Sequence, residues 1–284
     1  MRVKRTIAAS AAAVMMAMPL SGCGQIQVTT VSGSPEGPTI AIGVTADEPA
    51  VGMWHDGTYE GFDVTVAKYV AARLGYANKQ IVFKQVRPET RQSMLDNGQV
   101  DMVVASWPIT DQSRAAVDFA GPYLTAGVGL LVRASDRADY EKEHGTVGDV
   151  NQRDICAVQG DETASLFQTN HPEANMQERD SYAQCVTALQ AGAADAIVAD
   201  TAILGGLRQA NGPQYTVVLT DQGTVEYGIA VGKGTAELAG KIAEALQNMI
   251  DDGSWTAARD ELKQQSKLSV KLGGTPQAIV SDDE

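Results

Sequence analysis

Two stretches of the chain, residues 95–103 and 189–197, follow the same pattern. Each begins with a Leu at the end of a predicted helix, passes through a Gly, and reaches an Asp that opens an apolar run. Gly98 and Gly192 favour a helix end, because glycine adopts the left-handed conformation there without strain. A helix that leads directly into a buried strand is the building unit of α/β folds, so the repeat predicts two similar α/β units in one chain.

Apolar runs and helical periods alternate along residues 38–265. Runs typical of strands lie at 39–44, 81–84, 100–104, 128–132, 154–158, 195–199 and 227–232. Segments typical of helices lie at 62–74, 89–96, 163–170, 185–190, 236–250 and 254–263. This order predicts the α/β class, with a mixed, mostly parallel sheet flanked by helices in each unit. Ligands of open α/β sheets bind at the carboxyl ends of strands, so we expect a cleft at the loops after Val44, Val104, Val158 and Ala199.

The first 22 residues have the pattern of an export signal. Basic residues at positions 2, 4 and 5 precede an apolar run from Ile7 to Leu20. The run ends in Leu20-Ser21-Gly22-Cys23, which resembles a bacterial lipobox. We therefore expect a lipid on Cys23 that holds the protein at the extracellular face of the cell membrane; an ordinary cleaved signal with a chance cysteine is the alternative. Residues 23–37 are rich in Thr, Ser, Gly and Pro and are predicted to form a flexible tether.

The charge balance excludes two classes of partner. Removal of residues 1–22 leaves 19 basic and 35 acidic residues, a net charge of −16. A chain this acidic is not expected to bind nucleic acid or to dock on anionic lipid, so membrane contact is expected through the anchor only. No metal or other cofactor is expected, because His55, His144 and His171 lie far apart in the sequence without ligand-like neighbours.

Two cysteines besides Cys23 remain, Cys156 and Cys185. An extracellular compartment permits disulfides, so we expect these two residues to pair. Two buried free thiols are the alternative.

Several blocks of residues resemble one family of binding proteins. They begin at Gly61-Phe62-Asp63, Ile109-Thr110-Asp111, Asp195-Ala196-Ile197 and Gly253-Ser254-Trp255. Together they resemble the bacterial extracellular solute-binding proteins of the polar amino acid type, family 3, over residues 38–265. Residues 56–63 and the two cysteines point toward the glutamate- and glutamine-binding lipoproteins of actinobacteria.

The resemblance implies a two-lobed fold of the type II periplasmic-binding-protein class, with two chain crossings near 131–134 and 224–227. The implied divisions are lobe 1 at 38–131 and 227–265, lobe 2 at 132–226, and a loose C-terminal tail at 266–284. The resemblance also implies a monomer without catalytic activity, which closes on a small polar ligand and then docks on the membrane permease of an ABC importer.

A dry cleft that binds a free amino acid needs an anion for the ammonium group, donors for the carboxylate and apolar walls. By resemblance, Asp200 is the ammonium partner, at the carboxyl end of a predicted strand. A helix N-cap is the alternative role, and the two roles are compatible. The candidate ligand-binding residues are Glu48, Trp54, Asp63, Ser106, Trp107, Arg114, Glu162, Thr163 and Asp200.

The carboxylate-binding positions depart from the family pattern. Ser113 stands where the family has an Arg, and Arg114 follows it. A slip of one residue on a helix rotates a side chain by about 100°, so Arg114 either still reaches inward or is a solvated charge. Pro108 has no N–H to donate where the family often uses one. Asp161 and Glu162 follow Gly160 where the family offers a Thr, and Thr163 replaces that Thr only if the turn differs.

These departures, together with the absence of an aromatic residue near Ala46, indicate an acidic cleft. We hypothesise that Glu48, Asp161, Glu162 and Asp200 line it and that it suits a cationic or neutral polar ligand better than glutamate. Trp54 and Trp107 are expected as walls or as a cation–π surface, with a surface loop and core packing as the respective alternatives.

Three functions compete for this chain. The first is the ligand-delivering receptor of an ABC importer, and the second is a ligand-sensing or partner-binding lipoprotein derived from an amino acid receptor, without transport. The third is an enzyme, because related folds include dehydratases. The sequence lacks the G-x-S-x-G, H-E-x-x-H and phosphate-loop motifs, so we expect a binding protein and prefer the importer receptor.

Overall fold

The computed structural model describes residues 37–141 and 150–280. The strands are β1 (Ile40–Val44), β2 (Asp47–Glu48), β3 (Gly52–His55), β4 (Thr58–Glu60), β5 (Ile81–Gln85), β6 (Met102–Pro108), β7 (Asp118–Arg133), β8 (Asp154–Val158), β9 (Asn175–Arg179), β10 (Ala196–Asp200), β11 (Tyr215–Val231) and β12 (Gln277–Ile279). The helices are α1 (Phe62–Arg73), α2 (Arg91–Asp96), α3 (Asp111–Ala116), α4 (Arg137–Tyr140), α5 (Glu162–Asn170), α6 (Tyr182–Ala191), α7 (Thr201–Asn211), α8 (Ala236–Asp251) and α9 (Ser254–Ser266). The predicted signal, Cys23, nearly all of the predicted tether and His144 lie outside the described residues.

One large sheet contains most of the strands, in the order β5-β1-β6-β11-β7-β10-β8-β9. The short strand β12 also pairs with β7, outside this order. The strands β5, β1 and β6 are parallel to one another, and so are β10, β8 and β9. The pairs that β7 and β11 make are antiparallel. We call β1–β6 with α1 and α2 the first group, and β8–β10 with α5–α7 the second group. The predicted α/β class with a mixed, mostly parallel sheet is confirmed.

Two long strands, β7 and β11, join the two groups. Part of β11 pairs with β6 of the first group, through Tyr227 and its neighbours. Part of β7 pairs with β10 of the second group, beginning at Val128. The register between β7 and β11 shifts between Leu219 and Thr224. The chain therefore passes from group to group along two adjacent strands, and the exact lobe boundaries stay a prediction.

The repeated sequence pattern has the same structural role in both groups. Gly98 and Gly192 follow α2 and α6 with φ angles of 62° and 73°, as the predicted helix ends require. The Oδ2 atom of Asp101 accepts a hydrogen bond of 2.7 Å from the Ala41 amide at the start of β1. In the second group, the Oδ2 atom of Asp195 accepts one of 3.0 Å from the Asp154 amide at the start of β8. Each Asp thus fixes the register of the neighbouring parallel strand.

The cysteines and the C-terminal segment test two further predictions. Cys156 of β8 and Cys185 of α6 form a disulfide, as predicted, with their Cα atoms 5.6 Å apart. The C-terminal segment was expected to be loose, but β12 pairs with residues 119–121 of β7. Lys271 also forms a β-bridge to Thr125. These backbone hydrogen bonds make the described part of the segment a portion of the sheet.

Candidate functional site

Acidic side chains from both groups meet where the strands of each group end. Asp63 lies in the first turn of α1, and Glu48 lies in β2, shortly after the end of β1. Asp161 and Asp200 lie at the carboxyl ends of β8 and β10. The exposed fractions are 0% for Asp63, 1% for Asp200, 2% for Glu48 and 8% for Asp161. We call these four residues the acidic cluster. Among the described residues, no Lys, Arg or His forms an ion pair with any of them.

In the first group, Ser106 links two carboxylates of the acidic cluster. Its amide donates a hydrogen bond of 2.6 Å to Oδ2 of Asp63, and its hydroxyl donates one of 2.7 Å to Oε2 of Glu48. The Tyr123 hydroxyl donates to the other oxygen of Asp63 at 2.9 Å. Ser106 is buried and has a φ angle of +44°, a conformation that costs a non-glycine residue of order 1–3 kcal/mol. Such strain is typical of functional sites, and here it directs two donors at two carboxylates.

A close backbone approach positions Asp63. Gly61, two residues before it, has a φ angle of +118°, and a Cβ atom there would lie 2.4 Å from the carbonyl oxygen of Val51. Only glycine fits this position. The Gly-Phe-Asp motif therefore permits the close backbone approach that places the Asp63 carboxylate in the acidic cluster.

In the second group, Asp200 caps α7 and faces Tyr227 of β11. Its Oδ1 atom accepts hydrogen bonds from the amides of Ala202 and Ile203, at 2.8 and 3.3 Å, so the N-cap role is present. The Tyr227 hydroxyl is fully buried, and its hydrogen-bonding neighbour is Asp200, at a geometry outside the ordinary range. Burial raises the pKa of Tyr227 well above its usual value, and the charge of the nearby Asp200 carboxylate raises it further.

Asp161 is held in a similar way at the start of α5. Its Oδ1 atom accepts a hydrogen bond of 2.8 Å from the amide of Thr163, and its Oδ2 atom accepts one of 2.8 Å from the Tyr182 hydroxyl. The amide of Tyr182 in turn donates to Oδ2 of Asp47 in the first group, at 2.7 Å. Thr163, which was expected at the ligand, therefore presents its amide to Asp161.

Glu162 forms an ion pair across the two groups. Its Oε2 atom pairs with Arg91 of α2, and its Oε1 atom accepts a hydrogen bond of 3.0 Å from the indole Nε1 of Trp107. The Arg91 guanidinium also lies 4.2 Å from the centre of the Trp107 ring, as a cation–π contact. Arg91 is only 3% exposed, and its Nε atom has no hydrogen-bond partner among the described residues. We call Arg91, Trp107 and Glu162 the latch.

Close backbone contacts accompany the latch. A Cβ atom on Gly206 of α7 would lie 1.7 Å from the carbonyl oxygen of Pro49, and one on Gly160 would lie 2.9 Å from the amide nitrogen of Glu89. Pro49 and Glu89 are in the first group. A groove of about 340 Å³ beside Pro49 is lined by both groups, through Asp47 and Met53 on one side and α6 and α7 on the other. The structure is therefore a closed conformation.

Burial and mutual repulsion raise the pKa values of the acidic cluster. Burial raises the pKa of Asp63 to about 7 and that of Asp200 to about 6, with a further rise from neighbouring carboxylates in each case. The pKa of Glu48 is raised well above its ordinary value by burial and by the charges of Asp47, Asp63 and Asp200. Burial also raises the pKa of Asp161. A positive charge placed among these groups reverses the repulsion that raises their pKa values.

Two candidate residues lie away from the cluster. Arg114 is about half exposed and pairs with the exposed Asp111 on the surface of α3, so the solvated-charge interpretation is correct. The Ser113 hydroxyl, at the position of the family's Arg, donates to the carbonyl oxygen of Pro108 at 2.8 Å. The one-residue slip from 113 to 114 turns the guanidinium of Arg114 outward.

Trp54 is 47% exposed and packs edge-on against Tyr59 on the small sheet.

The structure adds residues that the sequence did not indicate. Arg91 and the hydroxyls of Tyr123, Tyr182 and Tyr227 contact the acidic cluster or the latch. Arg91 lies on a short helix with charged and polar neighbours, where an Arg is normally solvated. Glu162 indicated that a cation was needed, because a largely buried acidic residue requires one, but no local pattern identified Arg91 as that cation.

Neither a metal-ion site nor a membrane-spanning helix is found among the described residues. No group of three or more His, Cys, Asp and Glu side chains is arranged to hold a metal ion there. The helices of residues 37–141 and 150–280 are all too short or too polar to cross a membrane.

Comparison with known proteins gives one consistent family. The model of the bacterial extracellular solute-binding proteins, family 3, matches residues 40–262. The chain is 34% identical over 221 residues to the ABC transporter glutamine-binding protein GlnH of Bacillus subtilis, covering 76% of this chain and 78% of that protein. It is 32% identical over 286 residues to the glutamate-binding protein GluB of Corynebacterium efficiens, covering 97% and 93%.

Solved structures agree with these sequence matches. The solute receptor for L-cysteine of Neisseria gonorrhoeae superposes with a TM-score of 0.71 at 26% identity, covering 79% of this chain and 89% of the receptor. An ancestral arginine-binding protein bound to glutamine also gives a TM-score of 0.71 at 26% identity, covering 80% and 98%. These similarities confirm the predicted two-lobed, type II binding-protein fold.

Proposed function

The chain belongs to family 3 of the bacterial extracellular solute-binding proteins, and we propose that it captures a small polar solute with an amino group and delivers it to an ABC importer. The observation that carries this proposal is Asp200, a buried carboxylate whose Oδ1 caps a helix and which lies beside the buried Tyr227 hydroxyl and the other carboxylates of the acidic cluster. Relatives of the chain are named as glutamine- and glutamate-binding proteins, and one of them as part of an ABC transporter.

The proposed mechanism is closure of two lobes over the solute. The first and second groups act as the lobes, and β7 and β11 act as the hinge where their register shifts between Leu219 and Thr224. The ammonium group of the solute binds Asp200 from one lobe and Glu48 from the other. It thereby replaces repulsion between the lobes with attraction, and closure follows because the solute binds the closed form better than the open form. The closed monomer then docks on the permease.

We also propose that lipid on Cys23 anchors the protein at the extracellular face of the membrane, as the lipobox-like sequence indicates. Expression of the full chain in a bacterium and mass spectrometry of the mature N-terminus test this step. Cys23→Ser should release the domain from the membrane fraction. An unmodified N-terminus at another position contradicts the anchor and leaves the binding function unaffected.

One observation favours a second function. The latch joins the lobes through Arg91 and Glu162, so the closed form has a stabilising contact made by the protein's own side chains. A lipoprotein that senses a ligand or binds a membrane partner, without transport, would use such a closed form as its signal. Uptake of radiolabelled solute in cells with and without the gene separates delivery from sensing.

Calorimetry tests solute binding itself. The mature wild-type protein is titrated with a panel of amino acids, amines and guanidino compounds. At least one of them should bind with a dissociation constant in the micromolar range or lower, and Asp200→Asn should weaken that binding at least a hundredfold. Absence of binding across the panel contradicts the proposed function.

A further inference from the structure

Glu162 occupies the position of a ligand carboxylate with respect to its donors. Each of its two oxygens has one partner, Arg91 on Oε2 and the Trp107 indole N–H on Oε1. An Arg together with a second N–H donor is the arrangement that proteins use to bind a carboxylate. In this chain the carboxylate that fills it is part of the protein and comes from the opposite lobe.

We propose that the site takes a small amine without a carboxylate, such as an alkyl diamine or a guanidino amine, because Glu162 supplies from within the chain the carboxylate that an amino acid would bring. This inference rests on the proposed function and specifies its solute class.

The charges of the acidic cluster support this class. Four buried carboxylates converge there, and no Lys, Arg or His of the described residues forms an ion pair with them. The one guanidinium of the latch is already paired with Glu162. A zwitterionic amino acid would bring a further carboxylate next to these groups, where no Lys, Arg or His of the described residues is left unpaired to meet it. A buried unpaired charge costs several kcal/mol, whereas an amine with two positive charges meets carboxylates only.

A separate observation points to a ligand at this place. The Tyr227 hydroxyl is fully buried, and its hydrogen-bonding neighbour is the Asp200 carboxylate, at a geometry outside the ordinary range. It lies among Asp200, Glu48 and Asp63, whose charges all act on it. A phenol hydroxyl that donates to a carboxylate can still accept a hydrogen bond. An ammonium group between Asp200 and Glu48 would donate to this oxygen and complete its coordination.

Matched pairs of ligands provide the test. Calorimetry compares lysine with cadaverine, ornithine with putrescine, and arginine with agmatine, since the members of each pair differ only in the α-carboxylate. We expect the amine to bind at least tenfold tighter than the amino acid in the pair that binds best. Tighter binding of the amino acid overturns this inference and leaves the proposed function standing. If none of the six probes binds, the inference is overturned. If no compound of the wider panel binds either, the proposed function is overturned as well.

Glu162→Gln tests the role of the internal carboxylate. The change releases Arg91 for a ligand carboxylate, so the preference within each pair should shift at least tenfold toward the amino acid. Glu178→Gln, at an exposed position of β9 in the same lobe, is the matched control and should leave the preference unchanged.

Trp107→Phe gives a second measurement that keeps an aromatic ring and removes the N–H donor together with the five-membered ring of the indole. The variant lacks the hydrogen bond from the indole to Glu162, so the preference within each pair should shift toward the amino acid by a smaller factor than in Glu162→Gln. An unchanged preference in both Glu162→Gln and Trp107→Phe overturns the inference.

Discussion

Asp200→Asn separates the two roles of one carboxylate. Asn is as good an N-cap as Asp, so the hydrogen bonds from the amides of Ala202 and Ile203 are kept. The substitution removes only the charge and its repulsion with the rest of the acidic cluster. The variant should therefore be more stable than the wild type at neutral pH and should bind the solute poorly.

The magnitude follows from the pKa of Asp200, which burial raises from 3.8 to about 6. Because the folded-state value lies above the unfolded one, the native protein holds the proton more tightly, and its stability falls as pH rises from about 4 through about 6. Each pKa unit corresponds to 1.36 kcal/mol, so the charged Asp200 costs on the order of 3 kcal/mol above pH 6. The Asn variant avoids this cost, which amounts to roughly 6–12 °C in melting temperature for a domain of this size.

Urea unfolding at pH 4.0 and pH 7.5 measures the effect. The Asn variant should match the wild type at pH 4.0 and exceed it by on the order of 3 kcal/mol at pH 7.5. Asp200→Ala is the control, because it also removes the cap and should lie about 1 kcal/mol below the Asn variant at both pH values. An Asn variant that is no more stable than wild type at pH 7.5 would refute the argument that burial and repulsion dominate this site.

Three further predictions concern the latch, the disulfide and closure. Arg91→Ala leaves Glu162 unpaired and should raise the radius of gyration of the ligand-free protein in X-ray scattering; an unchanged radius contradicts the latch. Replacing both Cys156 and Cys185 by Ser should lower the free energy of unfolding in urea by about 3.6 kcal/mol, and an equal loss in wild type under reducing agent is the check. Gly206→Ala places a Cβ against the opposite lobe and should weaken ligand binding at least a hundredfold, whereas Gly240→Ala, which has open space around it, should not.

The sequence predicted the local units well, because they depend on local signals. The helix ends at Gly98 and Gly192 require the left-handed conformation, which glycine alone adopts readily. Asp200 was identified through its resemblance to the family's amino-group-binding acid, at the carboxyl end of a predicted strand. The long strands β7 and β11 were predicted only as short apolar runs at 128–132 and 227–232. Their remaining residues include Gly, Pro, Thr and Asp, so periodicity gave no strand signal there.

The partners of Glu162 were beyond prediction for a different reason. The sequence showed an acidic residue at a position of the ligand site, but the residues that satisfy it, Arg91 and Trp107, come from another part of the chain. Arg114 was nearer in sequence to the expected position, and it faces solvent because one residue on a helix corresponds to about 100° of rotation. Pairing between lobes depends on how the lobes are oriented, and no local pattern contains that information.

Closure of this protein depends on two opposing interactions at the same interface. The latch joins the lobes through an ion pair and an indole hydrogen bond, whereas the acidic cluster drives them apart through like charges. A solute that bridged the lobes with its carboxylate would have to displace Glu162 from Arg91 and would add a negative charge to the cluster. A solute that brings only positive charge leaves the latch intact and removes the repulsion. Under the proposed amine specificity, Glu162 therefore sets both which solute binds and which part of the closing free energy that solute supplies.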